Sequence, residues 1–405
     1  MPTVLHINVA KNIGSTGRIV EQLCILARTH GWDSYVAHGY RYEDKGEVKG
    51  ILVSGAYGEY RHYLRSLLLD GQGLGSKKET RDLVNWIQKV RPDIVHLHNI
   101  HGYYINYPIL FRYLSENSIP IVWTLHDCWP FTGHCAYFDL ISCEKWETQC
   151  DNCPQKEKYP KALIDRSKRN YELKKQLFTS VPNMTIVPVS DWLHDLVTRS
   201  FLSKYPIKTI HNGIDLNMFR PTDSDFRKRN ALEGKFLILG VADGYGERKG
   251  LSDFNILSER FGSRVTIILV GLNEKDKKSV SPRIMGMGRT ANQQELIEIY
   301  SSADVYINPT YEDNFPTTNL EALACGTPVI TYRTGGSPEA VDESTGIVIE
   351  KGDVDGLVRD IETVKSKGKA SYENACRKRA ETFFNKQERF GDYIRLYEEL
   401  IARKH

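Results

Sequence analysis

The feature that most constrains this chain is an alternation of short apolar runs with longer amphipathic ones, which starts near residue 4 and starts again past residue 235. Residues 4–9, 94–97, 121–125 and 185–189 read as buried strands, and residues 17–28 and 79–90 as helices. In the first of these helices Ile19, Val20, Leu23 and Leu26 share one side, the mark of an amphipathic helix. The second series predicts strands over 236–241, 265–270, 304–308 and 328–332, with helices between them. Strands that are apolar along their whole length, separated by helices, imply parallel sheets covered on both faces. The fold class is therefore α/β, with two doubly wound domains whose strand ends would face each other across a cleft. Residues 207–225 have turn formers at Asn212-Gly213 and a proline but little periodicity, so the junction is set at 215–221. The domains are then 1–215 and 216–385, followed by a helix over 386–404 with Phe390, Tyr393, Ile394, Leu396 and Tyr397 on its apolar side.

Composition narrows the function. A net charge of +3 over 405 residues is too small for a general nucleic-acid coat. No run approaches the ~20 apolar residues of a membrane span; 236–242 and 265–271 are among the longest. The opening MPTVLHINVAKNIGS places its apolar stretch before Lys11, the reverse of a secretory leader, so the expected location is cytoplasmic.

The most informative stretch is 310–329, TYEDNFPTTNLEALACGTPV. Pro316 suits the first turn of a helix of about ten residues, and Gly326 suits its left-handed end. The first free amides, near Thr317 and Thr318, make a ready site for an anion such as a diphosphate. Asp313 and Glu321 are carboxylates, each able to accept two hydrogen bonds from a vicinal diol, which suits sugar or ribose. The alternative is that Asp313 caps the helix and Glu321 is a solvated face residue.

This segment resembles the E-x7-E signature of retaining glycosyltransferases of family 4, with Asp313 in place of the first Glu and Glu321 as the second. His211-Asn212-Gly213-Ile214-Asp215 resembles the family's NGID linker, Arg248-Lys249-Gly250 its basic motif, and Gly335-Gly336-Ser337-Pro338-Glu339 the segment after the signature helix. The likeness runs from the 14–17 loop to the last helix, and the wording of 312–329 and 126–135 is especially similar to enzymes of colanic-acid-like exopolysaccharide assembly. It implies a GT-B fold of two Rossmann-like domains, with the last helix, 386–405, returning to the first domain. It also implies a retaining transfer of sugar from a nucleoside diphosphate to a glycan or lipid-linked glycan, with no cofactor for catalysis. Glu321 would bind the ribose and Asp313 the hydroxyls of the donor sugar, with Asn314, Phe315, Thr317 and Thr318 completing the donor site. Lys249, with Arg248, would neutralise the diphosphate as charge develops on it; read alone, the two are an ordinary pair of surface charges. Asp313 is one methylene shorter than the family's Glu, and Glu312 stands beside it as a substitute. The Arg that commonly follows the first strand of the second domain is absent, Gly240-Val241-Ala242-Asp243 standing there.

In the first domain, Gly14-Ser15-Thr16-Gly17 lies between a strand and a helix, where backbone amides can approach a phosphate. A tight turn without ligand fits equally; the resemblance makes Gly14, Thr16 and Gly17 face the diphosphate. His126 ends the strand 121–125 and matches the family's histidine near the donor sugar, and Asp127 is a candidate for orienting the acceptor hydroxyl. A structural histidine is the bland alternative. His96, His98 and His101 invite a metal reading, but alternation puts only His96 and His98 on one face, so packing and hydrogen bonding are preferred.

Half of the chain's eight cysteines fall within 135–153: Cys135, Cys143, Cys150 and Cys153, ending in Cys-x2-Cys. Four thiolates suit a tetrahedral zinc, and disulfides are rare in the cytosol, so one structural zinc is expected in an insert over 133–160. The stretches 60–81 and 161–175 are rich in Lys and Arg, and Arg61, Leu64, Arg65, Leu67 and Leu68 could lie on a membrane's inner face, or form a solvated helix face. The rivals to a transferase are a sugar-nucleotide epimerase or phosphorylase of the same fold, and a zinc-containing nucleic-acid-binding module. The near-neutral charge speaks against the last.

Overall fold

The computed structural model describes residues 1–40 and 46–403. The first sheet contains β1 (Thr3–Ile7), β2 (Asp33–Gly39), β3 (Lys49–Ser54), β4 (Ile94–Leu97), β5 (Ile121–Leu125) and β6 (Met184–Pro188), in the order β3-β2-β1-β4-β5-β6. The second contains β7 (Leu237–Val241), β8 (Thr266–Val270), β9 (Ile284–Met287), β10 (Val305–Asn308), β11 (Val329–Tyr332) and β12 (Gly346–Ile349), in the order β12-β11-β10-β7-β8-β9. Every pairing is parallel. Counted from its own first strand, each sheet has the order 3-2-1-4-5-6, the doubly wound arrangement expected from the sequence. In such a sheet the winding reverses between the first and fourth strands, here β1 beside β4 and β7 beside β10. Loops leaving those strands part to opposite faces and open a crevice at their carboxyl ends.

The chain divides into two compact units, Met1–His211 with the chain from Phe390 onward, and Asn212–Arg389. The second division falls inside the last helix, Lys386–Ala402, rather than before it. β4, β5, β6, β10 and β11 are buried at every position, so apolar residues prevail in them, with polar members such as His96 in β4 and Asn308 in β10. One face of the first sheet packs Leu5, Ile7, Val95 and Trp123 against Trp129, Phe131 and Phe178. The other packs Val4, Ile94 and Val122 against Trp32 and against Phe390, Tyr393, Ile394, Leu396 and Tyr397 of the last helix.

Three of the strands that the periodicity does not reveal are β3, β9 and β12, all at sheet edges. β9 and β12 have four residues each and β3 has six, three of them exposed, and β3 and β12 carry a glycine within their first two residues. The helix expected over 17–28 runs over Gly14–Thr29, because glycine, serine and threonine are tolerated in an exposed first turn. Asn212-Gly213-Ile214-Asp215 is a clasp rather than a reversing turn. The Ile214 N–H donates to the Phe384 carbonyl at 2.7 Å, and the Lys386 N–H donates to the Ile214 carbonyl at 3.0 Å. A Cβ on Gly213 would lie 2.5 Å from the Lys386 Cα. Asp215 accepts hydrogen bonds from the Lys386 ammonium at 2.6 Å and from the Asn217 and Met218 N–H groups.

Candidate active site

The loops at the reversal point of the second sheet hold the residues singled out between 248 and 321. After β7 the chain makes a single 3-10 turn, Glu247–Lys249, and then Gly250 starts the helix Leu251–Phe261. Gly250 has φ +68°, and a Cβ there would overlap the Pro309 carbonyl. That contact brings the basic turn against the loop that leaves β10. The Arg248 carbonyl accepts the Tyr311 N–H at 2.8 Å and the Thr310 hydroxyl at 3.2 Å, and the Arg248 guanidinium donates to the Glu312 carbonyl at 3.2 Å. Lys249 forms an ion pair with Asp313, both side chains largely buried, while the other Asp313 oxygen accepts the Asn314 N–H at 2.9 Å. The cation and the carboxylate assigned from sequence to diphosphate and sugar are thus each other's partners here.

The helix after this loop is Thr317–Ala324, shorter than expected, with Pro316 as its N-cap and no side chain capping the first turn. Thr317 and Thr318 are half-buried. Asn319 fixes the helix: its carbonyl oxygen accepts from Asn308 at the end of β10 at 2.9 Å, and its amide donates to the Ser337 hydroxyl at 2.9 Å. Glu321, one residue beyond the following leucine, accepts a hydrogen bond from the buried Tyr300 hydroxyl at 2.9 Å. Asn314 and Phe315, placed in the donor site by the resemblance, turn their side chains inward. The Phe315 ring packs 5.9 Å from Phe384, and its carbonyl accepts from Asn212 at 3.3 Å. Gly335 has φ +53°, and a Cβ on it would overlap the Asp313 carbonyl oxygen; the Gly336 N–H donates to the Asn314 carbonyl at 2.7 Å. Tyr300 and Asn319 were not singled out from sequence. Asn319, an amide within an apolar helix face, was the available signal.

In the first unit the equivalent reversal point carries histidines. His6 on β1 pairs with His96 on β4 in register. His98, just past β4, meets His6 at 3.1 Å and His126, just past β5, at 3.2 Å. His96 is held by the Thr124 hydroxyl at 2.7 Å and by the Tyr397 hydroxyl. Burial lowers His6 to about 3 and His126 to about 4, and takes His96 and His98 well below the usual histidine range. All four are therefore neutral at pH 7, and each ring has one donor and one acceptor. Nε2 of His6 is buried with no partner, and a buried N–H without an acceptor is rarer than a bare lone pair. We therefore assign the His6 proton to Nδ1, which makes His98 donate to His126 Nε2 and leaves the His126 proton on Nδ1. Asp127 has both oxygens engaged, by His101 at 2.8 Å and by the Trp129 N–H at 2.9 Å. Burial raises the Asp127 carboxyl, but His101 and that amide hold it below its ordinary value. Gly14 has φ +67° and is exposed at the helix start, Thr16 is half-buried, and a Cβ on Gly17 would meet Ala10 and Asn12 at 3.2 Å. The first turn of that helix carries no acidic residue and no side-chain cap.

Comparison with known proteins adds three findings. Residues 16–218 match the family model described as Glycosyltransferase Family 4, and residues 246–366 that described as Glycosyl transferases group 1. WcaC of Escherichia coli (strain K12), a glycosyl transferase assigned to colanic acid biosynthesis, is 27% identical over 281 residues, covering 66% of each chain. A D-inositol 3-phosphate glycosyltransferase of Mycobacterium sp. (strain KMS) is 28% identical over 193 residues, 44% of this chain and 43% of that one. The matches therefore span about two thirds or less of these relatives' lengths. Among solved structures, the sucrose-phosphate synthase of Thermosynechococcus elongatus superposes with a TM-score of 0.76 at 17% identity, covering 100% of both chains. Anabaena HepE in complex with UDP-glucose superposes with a TM-score of 0.70 at 15% identity, covering 98% and 99%. The fold is GT-B.

Proposed function

This chain belongs to glycosyltransferase family 4, and we propose that it moves a sugar from a nucleoside diphosphate to a glycan or lipid-linked glycan in surface-polysaccharide synthesis, with retention of configuration. The observation that supports this most is the grouping of Arg248, Lys249 and Asp313 beside the uncapped start of the helix Thr317–Ala324, at the reversal point of a doubly wound sheet. A diphosphate arriving there competes with Asp313 for Lys249, and the released carboxylate accepts hydrogen bonds from hydroxyls of the sugar. Glu321, already oriented by Tyr300, accepts from the ribose. The acceptor oxygen then bonds to the anomeric carbon as the bond from that carbon to the phosphate oxygen breaks. The acceptor's proton passes to the departing phosphate oxygen, giving glycoside and nucleoside diphosphate. Lys249, Arg248 and the helix amides stabilise the charge on the leaving group. His126, neutral and with its proton on Nδ1, serves as a donor toward the sugar.

A lipid-linked acceptor fits the helix Ala56–Leu69. Tyr57, Tyr60 and Leu68 are exposed there beside Arg61 and Arg65, and Leu163 lies next to them, its N–H donating to the Leu67 carbonyl at 2.7 Å. Leu64 and Leu67 are half-buried. Among the described residues no helix is long and apolar enough to cross a membrane.

Thermal shift with UDP-, GDP- and ADP-sugars identifies the donor, the expected result being a rise with one base. Glu321→Ala is then expected mainly to raise the donor KM, and Lys249→Ala to lower turnover. Full activity in both variants overturns the assignment, and conversion of the donor sugar without acceptor replaces it with an epimerase.

A further inference from the structure

Residues 126–166 contain no α-helix and no strand, yet the segment carries Trp129, Phe131, Phe138 and Trp146 into the core of the first unit. A stretch that long without regular hydrogen bonding needs another source of order. Its four cysteines converge: Cys135, Cys143, Cys150 and Cys153 line one cavity of about 20 Å³, together with His134, room for a single small ion or water. No disulfide joins any of them. We propose that Cys135, Cys143, Cys150 and Cys153 bind one zinc ion that fastens this segment together.

Backbone amides approach two of the sulfurs. The Gly133 N–H donates to the Cys150 sulfur at 3.2 Å, and the Gln155 N–H, two residues beyond Cys153, donates to that sulfur. A Cβ on Gly133 would overlap the Ser167 carbonyl and come within 2.8 Å of the Cys150 Cβ, so glycine alone allows the backbone this close to the sulfur. A zinc with four thiolates carries two negative charges, and the buried Lys174 side chain stands beside it. The buried Lys174 ammonium donates to the Trp129 and Thr132 carbonyls at 2.7 and 3.0 Å and acts electrostatically on Cys135 and Cys150. His134 meets Asp70 through Nδ1 at 2.6 Å, while its buried Nε2 has no partner. Cys135 and Cys153 are within hydrogen-bond reach of each other, but no three of the four sulfurs lie within 4.8 Å of one another. Bonds of about 2.3 Å to a tetrahedral zinc draw them to about 3.8 Å apart, so binding tightens the segment.

The test needs no knowledge of the reaction and fails or succeeds independently of it. Protein purified without added metal is analysed for zinc, with about one ion per chain expected. Replacement by cobalt is expected to give the thiolate charge-transfer band of a tetrahedral four-sulfur site. Cys143→Ser and Cys153→Ser should lose the metal, and His134→Gln should keep it. If the serine variants do not fold, titration of the native wild type with a mercurial is expected to release one zinc for four thiols and to lower the unfolding temperature. Wild-type protein without stoichiometric zinc overturns the proposal, whether its thiols are reduced or paired as disulfides. Loss of metal in His134→Gln with retention in Cys143→Ser overturns the ligand set.

Discussion

Lys249 and Asp313 neutralise each other in the absence of donor, which sets what their removal does. Taking away Lys249 removes a cation from the diphosphate and leaves Asp313 as an unpaired, largely buried carboxylate repelling it. Lys249→Ala is expected to lower kcat by about 10²-fold, the scale on which a single stabilising donor acts, and steady-state kinetics at saturating donor read it. Gly335 gives a second expectation. Its positive φ and the Asp313 carbonyl against its Cα leave no room for a methyl group. Gly335→Ala should cost roughly 1–3 kcal/mol of stability by denaturant unfolding, with a weakened donor response, because the 313–314 loop must move. At this scale the sequence displayed the charged residues but not their partnerships. Lys249 and Arg248 were visible as a pair, whereas their attachment to the 312–313 loop depends on a contact over about sixty residues. Phe315 shows the reverse: a residue inside a functional motif whose side chain serves the core.

Strands buried on both faces, such as β4 and β5, were readable because burial leaves a mostly apolar run. Of the edge strands, β6, buried at every position, was readable, whereas the partly exposed β3, β9 and β12 were not, and neither was the interior β2. The histidines on β1 and β4 broke the apolar pattern without breaking the strands, because each finds a partner in a neighbouring strand or helix. Their burial has a pH consequence. His6, His96, His98 and His126 have folded pKa values below the ordinary 6.5, so below that value the unfolded chain binds more protons than the folded one. Stability should therefore be full above about pH 7 and fall as pH drops from 6.5 toward 4. Calorimetry across that range is expected to show a falling unfolding temperature, with a shallower slope in His6→Gln. An equal slope in that variant would remove His6 from the account.

For the whole molecule, two doubly wound domains were readable because the alternation restarts, whereas GT-B was implied by the family resemblance and the strand order came from the structure. The exact divisions were not readable, since a helix that changes unit partway along has no break in its periodicity. The Asp215–Lys386 pair lies where the second unit begins and ends. Burial raises the Asp215 carboxyl, but Lys386 and the two amides hold it below 3.8. Its contribution is present above that value and lost as pH falls through the lowered one. Asp215→Asn is expected to lower the unfolding temperature at pH 7, with the gap to wild type closing in acid. Ending the chain at residue 385 should cost more, since it removes Phe390, Tyr393 and Tyr397 from the first unit's core; loss of that unit's cooperative unfolding, followed by tryptophan fluorescence, is the expected result.

That last helix also fixes an order of events during synthesis. A ribosome delivers residues 1–211 long before Tyr397, so one side of the first sheet emerges with an oily surface that its own chain cannot yet cover. Residues 212–389 can acquire their structure in the meantime. The N-terminal part must then wait, and an apolar face left open for that interval is the kind of surface that chaperones shield.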